Sequence, residues 1–333
     1  MTFQLATQWH VVNKILIRLP VTSIRCCLLV VCFLLSACSD RSISSPLTIG
    51  TFNWIGYQPF YIARELDLFQ PSSIKLVELN NSTDIMYELR SRQLDGATLT
   101  LDEVITLLHD GMDLKIIFII DISNGGDAIL TKPGISSMAE LTGKRIAVEY
   151  TAMGAMLLES ALNYHSMSKK DLQIVPCTSD SHLNCYMDNE AIVTFEPIKT
   201  KLINQGANVV FDSSQTKGRI IDVLVIRSDI LQEKHMAINE LLTGYNQALE
   251  FMHLDPEKTN MIIKQRTNLG SDEINLMFKG IEIPGIKGNR ELFAADDLQT
   301  NTLELIDIMI RNELITDPVS IENLFTDRFL FDQ

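Results

Sequence analysis

The sequence lacks the motifs of several large enzyme classes. It contains no Gly-x-Ser-x-Gly elbow, no phosphate-binding P-loop, no His-Glu-x-x-His and no Cys-x-x-Cys. The histidines are scattered, which is typical of surface or packing positions; they include His109, His165, His182, His235 and His253. We therefore predict that the chain is not an enzyme and needs no cofactor.

Basic residues are few: 28 lysines and arginines stand against 42 aspartates and glutamates, which gives a formal net charge of −14. Because the phosphates of a nucleic acid would be repelled, we predict no nucleic-acid partner. The 333 residues are enough for two lobes, each with its own apolar core.

The N-terminus lacks an apolar run long enough to cross a bilayer. Residues 26–35 form a run of about ten apolar residues, whereas a spanning helix needs about twenty. Lys14, Arg18 and Arg25 precede this run without any acidic residue, which is typical of a secretory signal peptide. The alternative is an uncleaved N-terminal anchor.

The segment Leu35-Ser36-Ala37-Cys38 resembles the lipobox of bacterial lipoproteins. The resemblance implies cleavage before Cys38 and lipidation of its sulfur, which would hold the mature chain on a membrane outside the cytoplasm. Residues 1–37 would then be the signal peptide and residues 38–46 a lipidated tether. The start codon could lie downstream of Met1, and the choice between inner and outer membrane stays open.

Two cysteines, Cys177 and Cys185, remain beyond the expected tether. Outside the cytoplasm they could form a disulfide, and the alternative is two separate thiols. His182 lies between them, but a closed zinc site requires four ligands, so we predict no metal.

Strand-like and helix-like runs alternate along the chain, which predicts an α/β fold with mostly parallel sheets covered by helices on both faces. The expected strands are residues 47–51, 74–79, 95–100, 114–121, 127–132, 145–149, 172–176, 191–195, 208–212 and 222–227. The expected helices are residues 59–69, 82–90, 102–109, 154–165, 182–187, 197–205, 238–253, 256–267, 272–280 and 297–312.

Two of these strands, 127–132 (DAILTK) and 222–227 (DVLVIR), share a pattern of an initial Asp, an apolar run and a basic end. We expect them to cross between two lobes as a hinge. Lobe 1 would comprise residues 47–126 and 228–333, and lobe 2 residues 127–227 with the hinge strands. A ligand cleft would lie between the lobes, at the carboxyl ends of the strands.

Several segments together resemble the solute-binding proteins of bacterial ABC importers. They are WIGYQP (54–59), ARELDLF (63–69), QLDGA (93–97), LTLDE (99–103), SNGGD (123–127), LTGKRIAV (141–148), FEP (195–197) and DVLVIR (222–227). The most similar group is the nitrate, sulfonate and taurine type, related to binders of thiamine pyrimidine precursors. The resemblance implies a two-lobed, periplasmic-binding-protein-like fold of type II, and a permease with its ATPase as partners of a monomer.

Candidate ligand contacts follow the first and third strands. Trp54 and Tyr57 could stack on a planar or apolar group, although Trp54 could instead pack on its own lobe. Thr100 and Asp102 come after the third strand, where Asp102 could also cap the next helix.

Further candidates follow the long apolar strand and open the middle lobe. Ser123, Asn124 and Asp127 belong to a Gly-rich loop whose backbone N–H groups could approach a ligand. Gly154 lies in the first turn of a helix, where free N–H groups favour a carboxylate or sulfonate. The alternative at Gly154 is an ordinary strand-to-helix loop.

Acidic residues at the ends of apolar strands give the sharpest indication of the ligand. Glu196 and Asp222, with Asp102 and Asp127, could place up to four carboxylates at one cleft, and the alternative is solvated or ion-paired strand ends. Such carboxylates would repel bare nitrate or sulfate and favour a ligand with N–H donors or a positive amine. We therefore predict an aminosulfonate such as taurine, a sulfonate or an aminopyrimidine, with amine-bearing ligands favoured.

The predicted function is that of an extracytoplasmic substrate-binding lipoprotein, which captures a small organic nutrient and delivers it to an ABC permease. The alternative function is that of a sensor lipoprotein that signals to a membrane kinase or cyclase.

Overall fold

The computed structural model of the protein describes residues 45–149, 152–216 and 218–331. The expected signal peptide, Cys38 and most of the expected tether lie outside these residues. Among the residues described, no helix is long and apolar enough to span a bilayer.

The first lobe is built on a six-stranded sheet in the order β11-β4-β10-β3-β1-β2. Its strands are β1 (Leu47–Thr51), β2 (Ile74–Glu78), β3 (Gly96–Thr100), β4 (Leu114–Ser123), β10 (Ile221–Arg227) and β11 (Ile281–Glu282). β1 runs parallel to β2 and β3, whereas β10 is antiparallel to both β3 and β4. The ends of β1, β3 and β4 and the beginning of β10 therefore share one edge of the sheet.

The second lobe has a five-stranded sheet in the order β7-β6-β8-β5-β9. Its strands are β5 (Asp127–Thr131), β6 (Arg145–Glu149), β7 (Gln173–Cys177), β8 (Ala191–Phe195) and β9 (Asn208–Asp212). β6 is parallel to β7 and β8, and β5 is antiparallel to β8. The beginning of β5 consequently lies beside the end of β8, with Asp127 opposite Phe195.

Helices cover both sheets. They are α1 (Gln58–Glu65), α2 (Ser82–Arg90), α3 (Leu101–His109), α4 (Ala152–Tyr164), α5 (His182–Asp188), α6 (Ile198–Asn204), α7 (His235–Leu254), α8 (Pro256–Thr267), α9 (Ser271–Phe278), α10 (Gly285–Ala294) and α11 (Asp297–Arg311). α10 and the short β11 were not expected from the sequence. Most other elements agree with the expected ones to within a few residues at each end.

The central strands of the first sheet are apolar because both of their faces are covered. Nearly all residues of β4 (LKIIFIIDIS) and every residue of β10 (IDVLVIR) are buried. Buried strands of this kind read as continuous Val, Ile and Leu runs rather than as alternating patterns. Asp121 in β4 and Asp222 in β10 interrupt these runs and lie opposite each other in the pairing.

The structure corrects the expected position of residues 222–227. We expected them to cross between the lobes, but β10 is hydrogen-bonded along both edges within the first sheet, between β3 and β4. Residues 127–132 do not cross either, because β5 pairs with β8 and β9 within the second sheet. The residues between β4 and β5, and those between β9 and β10, make the two crossings instead. Pairing on both edges satisfies backbone groups of β10, so this apolar run can be buried.

One apolar cluster extends through both lobes. It joins Val104 and Leu107 of α3 to Met156 and Leu157 of α4, and it continues to Met309 of α11. Because α4 belongs to the second lobe while α3 and α11 belong to the first, the lobes are in contact here. The two lobes therefore touch in the described conformation, which we call the closed form.

Candidate functional site

Both lobes contribute to a pocket at the facing edges of the two sheets. From the first lobe it is lined by Phe52, Trp54, Ser82, Thr100, Glu103 and Asp222. From the second lobe and the returning segment it is lined by Asp127, Glu149, Met153, Ser179, Phe195 and Ile220. About 430 Å³ within these bounds, open mouth included, is free of protein atoms.

Pairing in the first sheet aligns three polar residues at this edge. Asp222 in β10 lies opposite Asp121 in β4 on one side and opposite Thr100 in β3 on the other. Asp222 accepts a hydrogen bond from the Tyr57 hydroxyl, and Asp121 accepts one from Nε1 of Trp54 at 3.0 Å. The two acids therefore hold Trp54 and Tyr57, two of the three aromatic side chains of the loop after β1.

Aromatic side chains from opposite lobes meet in the pocket. The rings of Trp54 and Phe195 are 5.9 Å apart between centroids and lie nearly perpendicular, at 79°. Tyr57 is fully buried and does not line the pocket, and its hydroxyl donates a hydrogen bond to Asp222. Trp54 thus lines the pocket, whereas Tyr57 lies one layer behind it.

Four carboxylates line the pocket: Glu103, Asp127, Glu149 and Asp222. Burial raises the pKa of Glu103 to about 7, that of Asp127 to about 7 and that of Glu149 to about 8. Burial also raises the pKa of Asp222 well above its ordinary value, and the negative charge of Asp121 raises it further. Without a positive partner, these groups hold protons near neutral pH.

No lysine, arginine or histidine is among the described residues that line this pocket. The ammonium of Lys199 lies near Asp127 but donates to the Gly125 carbonyl at 2.6 Å and lies 3.5 Å from Glu196. Oδ2 of Asp127 is buried without a hydrogen-bond partner. The described lining therefore offers four carboxyl groups, which accept hydrogen bonds when ionised and donate when protonated, and it includes no cationic side chain.

The N-terminus of α4 is already occupied by a carboxylate of the protein. Asp102, at the start of α3 in the first lobe, accepts a hydrogen bond from the backbone N–H of Met153 at 2.7 Å. A Cβ on Gly154 would lie only 2.8 Å from the carbonyl oxygen of Glu149, so glycine is needed for packing at this point. The expected anion contact near Gly154 is thus filled by Asp102, which links the two lobes.

Glu196 is also turned away from the pocket. It is 1% exposed and accepts hydrogen bonds from the backbone N–H and the hydroxyl of Thr200, each at 3.0 Å. These contacts satisfy donors in the first turn of α6, as a capping carboxylate does. The prediction that Glu196 faces a ligand does not agree with this geometry.

The Gly-rich loop after β4 supports the crossing between lobes. The Ser123 hydroxyl lies 2.7 Å from that of Ser213, and the side-chain amide of Asn124 donates to Glu282 at 2.9 Å. The backbone N–H groups of Asn124 and Gly126 both donate to the Gly280 carbonyl at 2.8 Å. Of this loop, only Asp127 lines the pocket, whereas the side chains of Ser123 and Asn124 pair with Ser213 and Glu282.

Sequence reasoning missed two of the four acids. Glu103 forms a capping box at the start of α3, because its carboxylate accepts the backbone N–H of Thr100 at 2.9 Å. Glu149 ends β6, and Ser179 donates hydrogen bonds to it. The signal was available for Glu149, since it ends an apolar strand as Glu196 does.

The cysteine pair and the buried histidine have structural positions. Cys177 at the end of β7 and Cys185 in α5 form a disulfide. Nδ1 of His182 lies 2.9 Å from the Thr194 hydroxyl, and burial lowers the pKa of His182 to about 4. Within the described ranges, no group of three or more His, Cys, Asp or Glu side chains is placed to hold a metal ion.

Comparisons with known proteins give a family and a fold. A family model described as NMT1/THI5 like matches residues 54–259. A Brucella abortus chain that carries the name of a binding protein is 24% identical over 142 residues, which are 40% of this chain and 44% of that one. The match therefore spans less than half of that relative's length.

Solved structures share the fold at low sequence identity. The alkanesulfonate-binding protein SsuA of Xanthomonas axonopodis pv. citri, bound to MOPS, has a TM-score of 0.72 and 14% identity over 85% of this chain and 99% of its own. The desulfurization enzyme DSZB has a TM-score of 0.64 and 14% identity over 86% of this chain and 98% of its own. The fold is thus the two-lobed periplasmic-binding-protein fold, which serves binding proteins and at least one enzyme.

Proposed function

Since the chain belongs to the NMT1/THI5-like family, we propose that it is a substrate-binding protein of an ABC importer. It captures a small organic nutrient between its two lobes and delivers it to a permease. The closed cleft supports this role, because ligand contacts to both lobes favour the closed form over the open one. A relative that carries the name of a binding protein agrees with it.

The lining of the pocket carries the proposal about ligand chemistry. Four carboxylates converge there, and the described lining includes no lysine or arginine. A ligand with an ammonium or several N–H donors would replace the protons that these carboxylates otherwise hold. Asp127 and Asp222 are the residues best placed to receive such a donor, because Oδ2 of Asp127 lacks a partner.

A plain sulfonate or nitrate fits the pocket less well. Such an anion would have to displace Asp102 from the N–H of Met153, and it would lie among acids. We therefore favour an aminopyrimidine or a zwitterionic aminosulfonate such as taurine. Trp54 and Phe195 provide the aromatic surface against which a flat or apolar portion of the ligand would pack.

The proposal also covers location and chemistry. The segment ending at Cys38 supports a lipid anchor outside the cytoplasm, with the signal peptide removed, and we propose that the protein acts as a monomer. The carboxyl and hydroxyl groups of the described lining would bind the ligand without turnover.

A thermal-shift screen of the purified protein tests this function, with taurine, alkanesulfonates, nitrate and aminopyrimidines as the panel. A ligand at a hundred times its dissociation constant stabilises the folded state by about 2.7 kcal/mol. We expect amine-bearing compounds to raise the melting temperature. Asp127→Asn and Asp222→Asn should weaken their binding at least tenfold in calorimetry.

Glu304→Gln is the matched control, because Glu304 is an exposed glutamate on α11 outside the pocket. It should bind as tightly as the natural protein. A shift with plain sulfonates or nitrate, and none with amines, would show that the acids do not determine the ligand. Recovery of a chemically altered ligand would show turnover and contradict a pure binding role.

A further inference from the structure

The first turns of α3 and α4 bring acids from opposite lobes together at one end of the pocket. Asp102 of α3 accepts the Met153 N–H of α4 at 2.7 Å, which fixes the two helices in contact. Glu103, the next residue, and Glu149, just before α4, both line the pocket. Glu149 also borders a neighbouring depression that reaches Thr83 of the first lobe.

Among the residues that the structure describes, these two glutamates accept hydrogen bonds and form no ion pair. Glu103 accepts the Thr100 N–H and a hydrogen bond from Ser82. Glu149 accepts hydrogen bonds from Ser179, and the charged groups that act on it are Glu103 and Asp102. The two glutamates are 6% and 9% exposed, so closing the cleft removes both from water.

Two ionised carboxylates from opposite lobes oppose closure for two reasons. Each loses its hydration, and each repels the other where the dielectric constant is low. A proton on either carboxylate removes the repulsion, and a positive donor between them would do the same. In the same pocket, Oδ2 of Asp127 is buried without a hydrogen-bond partner and is a further place where a donor of the ligand could bind.

We propose that Glu103 and Glu149 are the closing pair of this cleft: the lobes meet only when a proton, or a positive hydrogen-bond donor of the ligand, neutralises them. The part of this inference that concerns the ligand rests on the proposed binding function. The part that concerns the proton does not depend on that function. It assigns to these residues the control of closure as well as contact with the ligand.

The direction of the pH effect follows from the closed geometry. Burial raises the pKa of Glu103 to about 7 and that of Glu149 to about 8, from ordinary values of 4.5. In an open cleft water reaches both groups, and each pKa returns toward the ordinary value. The closed form therefore binds more protons, is most favoured below about pH 4.5, and loses this advantage as the pH rises to about 8.

Other buried acids contribute to the profile, because burial raises the pKa of each. Asp102 faces Glu103 and Glu149 from α3, and Asp127 and Asp222 line the pocket from β5 and β10. For each proton taken up on closure, the ratio of closed to open protein falls about tenfold for every unit by which the pH rises between the open-form and closed-form pKa values. Replacing one glutamate removes one of these protons. The closed-to-open ratio should therefore depend less steeply on pH but should still depend on it.

Small-angle X-ray scattering of the ligand-free protein between pH 5 and pH 9 tests the closing pair. We expect the radius of gyration to increase with pH in the natural protein. Glu149→Gln should keep the compact form to a higher pH, with a shallower transition. Glu103→Gln should do the same and retain the capping box, because glutamine also serves in that position.

Glu304→Gln should follow the natural profile, and far-UV circular dichroism checks that each variant is folded. A radius independent of pH in the natural protein, or the natural profile in both glutamine variants, would overturn the closing pair. If either of these two scattering results is obtained together with tight binding of an amine, the proposed function is retained and only the closing pair is rejected. A pH-dependent radius without amine binding would retain the closing pair and remove the proposed ligand class.

Discussion

Replacing Asp121 by asparagine should stabilise the protein, and more strongly as the pH rises. Asp121 is fully buried in β4, where its carboxylate accepts a hydrogen bond from Trp54 and lies opposite Asp222. Burial raises its pKa to about 8, and the negative charge of Asp127 adds to the increase. The asparagine side chain would keep the acceptor for Trp54 and would offer an N–H donor to Asp222 without needing a proton.

The magnitude follows from proton linkage. Asp121 has an ordinary pKa of 3.8, and its pKa in the folded protein is about 8. The folded state therefore binds a proton that the unfolded chain releases, and its contribution is complete below pH 3.8 and falls as the pH rises to about 8. At 1.36 kcal/mol for each pH unit, the loss is about 2 kcal/mol at pH 5 and about 4 kcal/mol at pH 7.

The assay is urea unfolding at pH 5, 7 and 9, with Glu304→Gln as control. Asp121→Asn should avoid this loss, so its advantage in unfolding free energy over the natural protein should grow by up to about 3 kcal/mol from pH 5 to pH 7. An advantage that stays constant with pH would mean that Asp121 is ionised in the folded protein. A variant less stable than the natural protein at pH 9 would refute the reasoning outright.

Three further changes test the packing around the site by urea unfolding. Gly56→Ala places a Cβ 1.8 Å from Oδ2 of Asp121, so the free energy of unfolding should fall by about 1–3 kcal/mol, with a change in tryptophan fluorescence. Cys177→Ser opens the disulfide with Cys185 and should lower the free energy of unfolding by about 2–3 kcal/mol through loop entropy. If reduction of the natural protein leaves its free energy of unfolding unchanged, this prediction is wrong. Arg266→Lys should cost about 1–2 kcal/mol, because the guanidinium stacks 3.5 Å from the centroid of an aromatic ring and donates to three side chains; an unchanged midpoint would contradict this.

The order of strands and helices could be read from the sequence because burial dictates it locally. Runs such as 114–121 and 191–195 are apolar for the length of a strand, and capping residues mark the helix starts. α10 escaped detection because it begins after Pro284 and contains two glycines, which weaken a helical pattern. The position of β10 escaped as well, since an apolar run does not specify its neighbours.

The site was predicted in part for a similar reason. Trp54, Thr100, Asp127 and Asp222 line the pocket because each lies at the sheet edge where strand ends of both lobes meet. That convergence follows from the α/β architecture alone. The expected aromatic and acidic character of the cleft is therefore visible in the one-dimensional order of residues.

The sequence by itself determined the α/β class, the two lobes and an excess of acids at strand ends, since these depend on local burial and chain order. Only the tertiary structure decided which acids remain available to a ligand. Asp102 binds the N–H of Met153 and Glu196 binds Thr200, whereas Glu103 and Glu149 face the pocket. The physical reason is competition for hydrogen bonds: a carboxylate takes the nearest free donor, and folding alone determines which donors are near.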